Sequence, residues 1–237
     1  MLPLIILAGG LATRLHPITH SIPKSLVPIN GIPFIDYQLD YLRHQNITNI
    51  VLCLGHLGEQ IQQRVGDGSS YGLNIQYSFD GSSSLGTAGA IKKALPLLSD
   101  NFFVQYGDSY LPVNYASIQD AYIRLEKPAL MTVFQNHNER EKSNAIYNAG
   151  QVLLYNKKNI NKSMNFIDYG LSVLNKQIFN TLESDQHFDL ADLYEELAIK
   201  KLLSGYQVFE RYYEIGSHEG ISEAERYLLK FKIGKPV

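Results

Sequence analysis

The sequence predicts an α/β fold, a mixed and mainly parallel sheet flanked by helices within a single domain spanning residues 1–237, and three observations carry that reading. Apolar runs alternate with stretches of helical spacing through the first half of the chain. Several of those runs are continuous, as in strands buried on both faces, and end in glycine. The length of 237 residues, 45% of them hydrophobic, is enough for the core of one generous domain.

Leu4 to Leu7 reads as a buried parallel strand running into Gly9-Gly10. Phe34 to His44 follows with Phe34, Tyr37, Leu39, Tyr41 and Leu42 at helix-like spacing, and Asn49 to Leu54 is a second strand. Gly55 to Val65 is expected to be a short helix closed by Gly66-Asp67-Gly68, and Leu73 to Phe79 a strand with alternating apolar residues. A loop at Asp80 to Ser84 leads to a helix over Thr87 to Leu98, then to a strand at Asn101 to Tyr106 ending in Gly107-Asp108. In the less regular second half, strands are expected at Ala129 to Phe134, Ala145 to Tyr147, Val152 to Tyr155, Phe166 to Leu174 and Tyr206 to Tyr213. Helices are expected at Tyr115 to Leu125, Asp189 to Lys201 and His218 to Lys230, the last capped by Gly216-Ser217. Asn138 to Ser143, with alternating charges, reads as a mobile loop.

A formal charge of −2 with no block of like charges argues against nucleic-acid and membrane partners and for a small, locally charged ligand. The first ten residues carry no basic leader, and Leu4 to Leu7 is far too short to span a bilayer, so a cytoplasmic location is expected. Cys53, the only cysteine, lies in an apolar run and reads as a core side chain. The seven histidines show no metal-ligand spacing beyond His16 and His20, which read as surface or packing residues.

A strand that stops in Gly-Gly leaves backbone N–H groups unshielded, able to converge on phosphate oxygens as an anion-binding nest. The segment is neither of two familiar phosphate loops: G-x-x-x-x-G-K-[ST] is missing, and so are the later glycines of G-x-G-x-x-G. Arg14 is a planar multi-donor cation suited to a β/γ-phosphate pair, and Pro23 stiffens the backbone that presents Lys24. Both cations read as left without an acid partner because a triphosphate is to supply it.

Leu7-Ala-Gly-Gly-Leu-Ala-Thr-Arg-Leu15, Pro17-Ile-Thr19, Pro23-Lys-Ser-Leu-Val-Pro28, Leu85-Gly-Thr-Ala-Gly-Ala90, Gly107-Asp108 and Tyr213-Glu-Ile-Gly-Ser217 stand in the order and spacing of the sugar-1-phosphate nucleotidylyltransferases, the nucleotide-sugar pyrophosphorylases. The chain resembles that family over nearly its whole length. The resemblance implies a Rossmann-like nucleotide-diphospho-sugar transferase fold and attack of a sugar 1-phosphate oxygen on the α-phosphorus of an NTP, giving an NDP-sugar and pyrophosphate.

It also implies roles for residues. Leu7, Ala8, Gly9, Gly10, Ala12, Thr13 and Arg14 would hold the triphosphate, with Arg14 on the pyrophosphate and Lys24 on the α-phosphate. Gly86, Thr87, Ala88 and Gly107 would complete the nucleotide site. Asp108 matches the family's first Mg2+ ligand, and Glu214 stands where the second is usually an aspartate. On the sugar side, Asn144, Asp168 and Gly170 would meet the sugar, and either Lys157 or Lys158 its phosphate, with Lys157 preferred. Ala12 replaces a glycine of the family pattern, at a cost of about 1 kcal/mol if the position needs positive φ.

The middle of the chain resembles mannose- and heptose-1-phosphate guanylyltransferases, whereas Gly66-Asp-Gly-Ser-Ser-Tyr-Gly-Leu73 and Ala94-Leu-Pro-Leu-Leu98 resemble the N-acetylmuramate-1-phosphate uridylyltransferases. The alternatives are a glycosyltransferase, although Asp108-Ser109-Tyr110 lacks the second acid of a D-x-D motif, and a non-catalytic nucleotide-sugar sensor. No C-terminal hexapeptide-repeat domain is expected, and a homodimer is compatible with the sequence.

Overall fold

The computed structural model describes residues 1–81, 83–136, 142–183 and 186–231. Its first half alternates strand and helix: β1 (Leu4–Ala8), the two-residue strands β2 (Pro28–Ile29) and β3 (Ile32–Pro33), α1 (Phe34–His44), β4 (Asn49–Leu54), α2 (Gly58–Val65), β5 (Asn74–Phe79), α3 (Gly86–Ala94) and β6 (Asn101–Tyr106). The second half adds β7 (Ser109–Tyr110), α4 (Tyr115–Leu125), β8 (Ala129–Gln135), β9 (Ala145–Asn148), β10 (Gln151–Tyr155) and β11 (Phe166–Asn175). It ends with α5 (Leu190–Ile199), β12 (Leu203–Val208), β13 (Tyr213–Glu214) and α6 (His218–Leu228).

Nine strands form one mixed sheet in the order β5-β4-β1-β6-β11-β8-β12-β10-β9. β5, β4, β1 and β6 run parallel, as crossover helices require, while β11 lies antiparallel to β6 and β8 and returns the chain through the sheet. The apolar run of β1 is continuous because its alternate residues feed opposite cores. Leu4 and Ile6 pack with Ile35 and Leu39 of α1 and Ile61 of α2, whereas Ile5 packs with Ile91 of α3 and Leu193 of α5. A third cluster joins α1 and α6 through Phe34, Tyr37, Tyr110, Ile215 and Leu228. Each fully buried Leu, Ile or Phe contributes about 1.5–3 kcal/mol relative to exposure, so these layers hold the strand ends in fixed positions.

Boundaries differ from expectation where backbone chemistry overrides periodicity. α2 starts three residues after Gly55, because Leu57 takes a left-handed conformation with φ 57°. The helix expected to Leu98 ends at Ala94 and continues as a 3-10 turn over Leu95–Leu97, where Pro96 has no N–H to continue an α-helix. The strand expected over Tyr206–Tyr213 is two strands: β12 begins at the buried Leu203 and ends at Val208, and β13 pairs with β7 outside the main sheet. Phe209 between them is 78% exposed, so no core face holds the chain in the sheet there. Ser217 caps α6 by accepting a 3.0 Å bond from the Gly220 N–H. Of the loop expected at Asn138 to Ser143, residues 138–141 lie outside the described residues.

Candidate active site

Ligands of open α/β sheets sit beyond the carboxyl ends of the parallel strands. Here the ends of β1, β5 and β6 and the start of α3 surround a cavity of about 320 Å³. Its lining brings together Leu7 and Ala8 from the end of β1, Gly9, Gly10 and Ala12 from the loop after it, Gly86 and Thr87 from α3, and Lys24, Gly107 and Asp108. Gly10 is exposed and no chain atom lies within 4 Å of where a Cβ would stand, so the room beside it is open to a ligand. Ala12 occupies the left-handed region, φ 51° and ψ 40°, and its carbonyl is pinned by the Thr19 hydroxyl at 2.8 Å. The conformation a glycine would adopt freely is thus imposed on an alanine by its surroundings.

Thr13 and Arg14 do not line the cavity. The Arg14 guanidinium reaches the Gly216 backbone, where the Glu214 carboxylate also lies. Lys24, read from the sequence as a cation without an acid partner, has one: its Nζ stands 2.8 Å from Asp108 Oδ2, both side chains largely buried. Asp108 Oδ1 accepts from the Ser109 hydroxyl at 3.2 Å. Across the β7–β13 ladder Glu214 faces Ser109, and the Ile215 N–H donates to the Asp108 carbonyl at 2.9 Å, so the segments carrying Asp108 and Glu214 are joined through their backbones, with Asp108 in the cavity lining and Glu214 outside it. Among the described residues no three His, Cys, Asp or Glu side chains form a metal cluster. Two hard oxygen donors nevertheless suit Mg2+, which retains waters and takes its remaining ligands from phosphate.

The glycines at the start of α3 make room for the chain itself. A Cβ on Gly86, whose φ is +68°, would lie 2.6 Å from the Phe188 carbonyl, and one on Gly89 would lie 2.7 Å from the Gln186 carbonyl. The segment thus seated caps α3: Phe188 O accepts from the Ala88 N–H at 2.8 Å, and Thr87 Oγ1 accepts from the Leu190 N–H at 2.7 Å. Ala88 is fully buried, so its amide is used inside the protein. The strap carries His187 and Asp189 into the cavity wall.

The residues expected on the sugar side gather beside Tyr106. At the β11 irregularity Asp168 accepts from the Gly170 N–H at 3.0 Å and the Tyr155 hydroxyl at 3.4 Å, while its own N–H donates to Asn144 Oδ1 at 2.9 Å. Gly170 has φ +93° there. Burial pushes the Asp168 carboxyl up from its ordinary range, opposed by the Lys157 ammonium and by those hydrogen bonds. Lys157 Nζ lies 5.6 Å from the centre of the Tyr106 ring, which lines the cavity, whereas Lys158 turns away to pair with Asp192 at 2.6 Å. Burial, reinforced by Asp168, Tyr194, Asp108 and Asp189, raises the Tyr106 phenol and keeps it a neutral donor.

Sequence reasoning missed Ser25, Asp80, Tyr106, His187 and Asp189; Cys53 is the buried core side chain that was expected and also borders the cavity. Asp80 and Tyr106 stand at the ends of parallel strands, a signal that was available; the strap residues carry none in their local sequence. Burial raises the Asp80 carboxyl, against the pull of the Leu85 N–H and Lys93. His16 and His20 pack ring against ring at 4.0 Å.

Residues 4–230 match the family model described as nucleotidyl transferase. The chain is 29% identical over 217 residues, 91% of its length and 95% of the relative's, to a D-glycero-alpha-D-manno-heptose 1-phosphate guanylyltransferase of Campylobacter jejuni. It is 40% identical over 114 residues, 48% of its length and 49% of the relative's, to an N-acetylmuramate alpha-1-phosphate uridylyltransferase of Neisseria meningitidis. Among solved structures, HddC from Yersinia pseudotuberculosis complexed with GMP-PN superposes with a TM-score of 0.79 at 25% identity, covering 96% of this chain and 100% of that one. A structure of a glucose-1-phosphate thymidylyltransferase from Bacillus anthracis, 18% identical with a TM-score of 0.88 over 100% and 98% of the two chains, shares the fold. With the glycine loop, Lys24 and Asp108 around one cavity and the family match running from β1 past α6, the chain belongs to the nucleotidyl transferase family.

Proposed function

We propose that this protein joins an NTP to a sugar 1-phosphate, releasing pyrophosphate and an NDP-sugar used in glycan assembly. The observation that carries the reading is the convergence of the Gly9-Gly10 loop, Lys24 and Asp108 on one cavity. A phosphate oxygen of the sugar 1-phosphate forms a bond to the α-phosphorus while the bond from that phosphorus to the β-bridging oxygen breaks. The protein's task is in-line positioning and neutralisation of the charge gathering on the leaving pyrophosphate. Lys24 exchanges Asp108 for the α-phosphate, and Arg14 moves from beside Glu214 to the β- and γ-phosphates. Lys157, beside Tyr106 and Asp168, guides the sugar phosphate. A magnesium ion held by Asp108 and Glu214 would add charge neutralisation at the phosphate oxygens.

For the base, GTP is the favoured donor, with a mannose- or heptose-like 1-phosphate as acceptor. The half-buried Asp80 carboxylate on the cavity wall has only acceptors, and guanine's N1–H and 2-amino group present adjacent donors, whereas the uracil edge presents one donor between two acceptors. UTP with an amino-sugar 1-phosphate is the second reading, supported by the 40% identity over 114 residues to the Neisseria uridylyltransferase. An enzyme drawing on the NTP pool belongs in the cytoplasm, and no helix among the described residues is long and apolar enough to cross a membrane.

Asp108→Asn should lower pyrophosphate release by at least about a hundredfold while nucleotide binding persists. Unchanged release would overturn the assignment of Asp108, and sugar transfer from an NDP-sugar by the wild type would favour a glycosyltransferase instead.

A further inference from the structure

We infer that Gln38, a residue of α1 outside the cavity lining, is a positioning residue for Asp108. The turn 106–109 that presents this carboxylate has a donor on each of its four carbonyls. The Ser25 hydroxyl donates to Gly107 O at 3.1 Å and the Ile215 N–H to Asp108 O at 2.9 Å. The two outer carbonyls are spanned by one side chain: Gln38 Nε2 donates to Tyr106 O at 3.2 Å and to Ser109 O at 2.8 Å, and Gln105 Nε2 adds a second bond to Ser109 O at 3.0 Å. Gln38 therefore clamps both ends of the segment whose middle is Gly107-Asp108.

The clamp carries a local penalty. Gln38 is 2% exposed, and its Oε1 is one of two buried side-chain polar atoms without a partner among the described residues. Leaving such an acceptor dry is unfavourable, and unsatisfied groups retained in a native fold concentrate where function demands a particular geometry. A side chain chosen for stability alone would be apolar here, since residues around it on α1, Ile35, Leu39 and Leu42, all enter the core. Both donors of the amide are instead directed at the backbone that aims a metal-type ligand. α1 and the parallel sheet thus hold the carboxylate against the pull of Lys24 on one side and, on our reading of the reaction, of Mg2+ and phosphate on the other.

This inference rests on Asp108 being a metal ligand, so its test includes a measurement without turnover. Gln38→Met nearly conserves volume, removes the orphan oxygen and both donors, and is expected to shift Tm by no more than about 4 °C. The Mg2+ concentration giving half-maximal pyrophosphate release should rise about tenfold and kcat fall tenfold to about a hundredfold, as for a small displacement of a reacting group, with KM for the sugar 1-phosphate unchanged. Mn2+ binding in the presence of a non-hydrolysable GTP analogue, followed by electron paramagnetic resonance, should weaken by a similar factor. Should Gln38→Met not fold, Gln38→Asn makes the same test, because its shorter amide cannot span the Tyr106 and Ser109 carbonyls. A folded variant with wild-type Mn2+ affinity, or a rate that falls only in step with Tm, would overturn the role. If the wild type turned over no substrate pair, the function proposed above would fail while the Mn2+ arm still decided the role of Gln38.

Discussion

Ala12 and Asp80 show how single side chains accept a local cost at this site. Ala12 sits at φ 51°, a conformation about 1 kcal/mol worse for alanine than for glycine, held by the Thr19 hydroxyl on its carbonyl. That penalty is small against the packing of the layers beneath, so the alanine is no argument against a formed loop. Asp80 is a carboxylate whose folded pKa is raised by burial. An acid of this kind disfavours the fold when ionised: the penalty is fully present above the folded pKa and disappears as pH falls through it towards the unfolded value. Asp80→Asn should therefore raise Tm at neutral pH, with the gain shrinking on acidification, and should at the same time reduce the ratio of kcat/KM for GTP over UTP. Melts across pH and rates with the two nucleotides check both halves; a lower Tm at neutral pH with an unchanged GTP preference would contradict them.

At the scale of elements, the Leu85-Gly-Thr-Ala-Gly-Ala90 motif has a structural duty beside any contact with nucleotide. Gly86 and Gly89 admit the carbonyls of Phe188 and Gln186, and Thr87 caps α5, so one motif fastens the strap to two helix N-termini. Gly86→Ala combines a positive φ with a Cβ 2.6 Å from a backbone oxygen that cannot rotate away. It is expected to destabilise by roughly 2–3 kcal/mol, a fall in Tm of about 4–12 °C for a chain of this size, with faster protease cleavage at residues 186–189. A Tm within a degree of wild type would show that the strap yields freely and has no positioning value. The same elements mark what the sequence conveyed. The glycine loop, Lys24, Asp108 and the motif at Leu85 were legible because each is local and ordered along the chain. The Lys24–Asp108 pair spans 84 positions, and the strap meets α3 over about a hundred, so no local pattern could announce either.

Over the whole molecule, the parallel half of the sheet was legible from continuous apolar runs, since a strand buried on both faces has no polar side. The end of β12 was not, because Tyr206 to Tyr213 keeps a strand-like composition through the point where the core stops supporting it. Of the residues expected on the sugar side, Asn144, Asp168 and Gly170 came from the family resemblance, which preferred Lys157 over Lys158; the fold adds that Lys157 faces Tyr106 while Lys158 is held by Asp192. The parallel strands β1, β5 and β6 bring their carboxyl ends to one cavity, and β11, next to β6, carries Gly170 against Tyr106 in its wall; in the function proposed above, two substrates meet there in line over Asp108. The central claim is that this meeting makes a phosphoanhydride. Its most direct test is pyrophosphate release by the wild-type protein with Mg2+ across a matrix of NTPs and sugar 1-phosphates. The account predicts release that requires both substrates and is fastest with GTP and a mannose- or heptose-like 1-phosphate. Tight nucleotide binding with no pyrophosphate from any pair would contradict it.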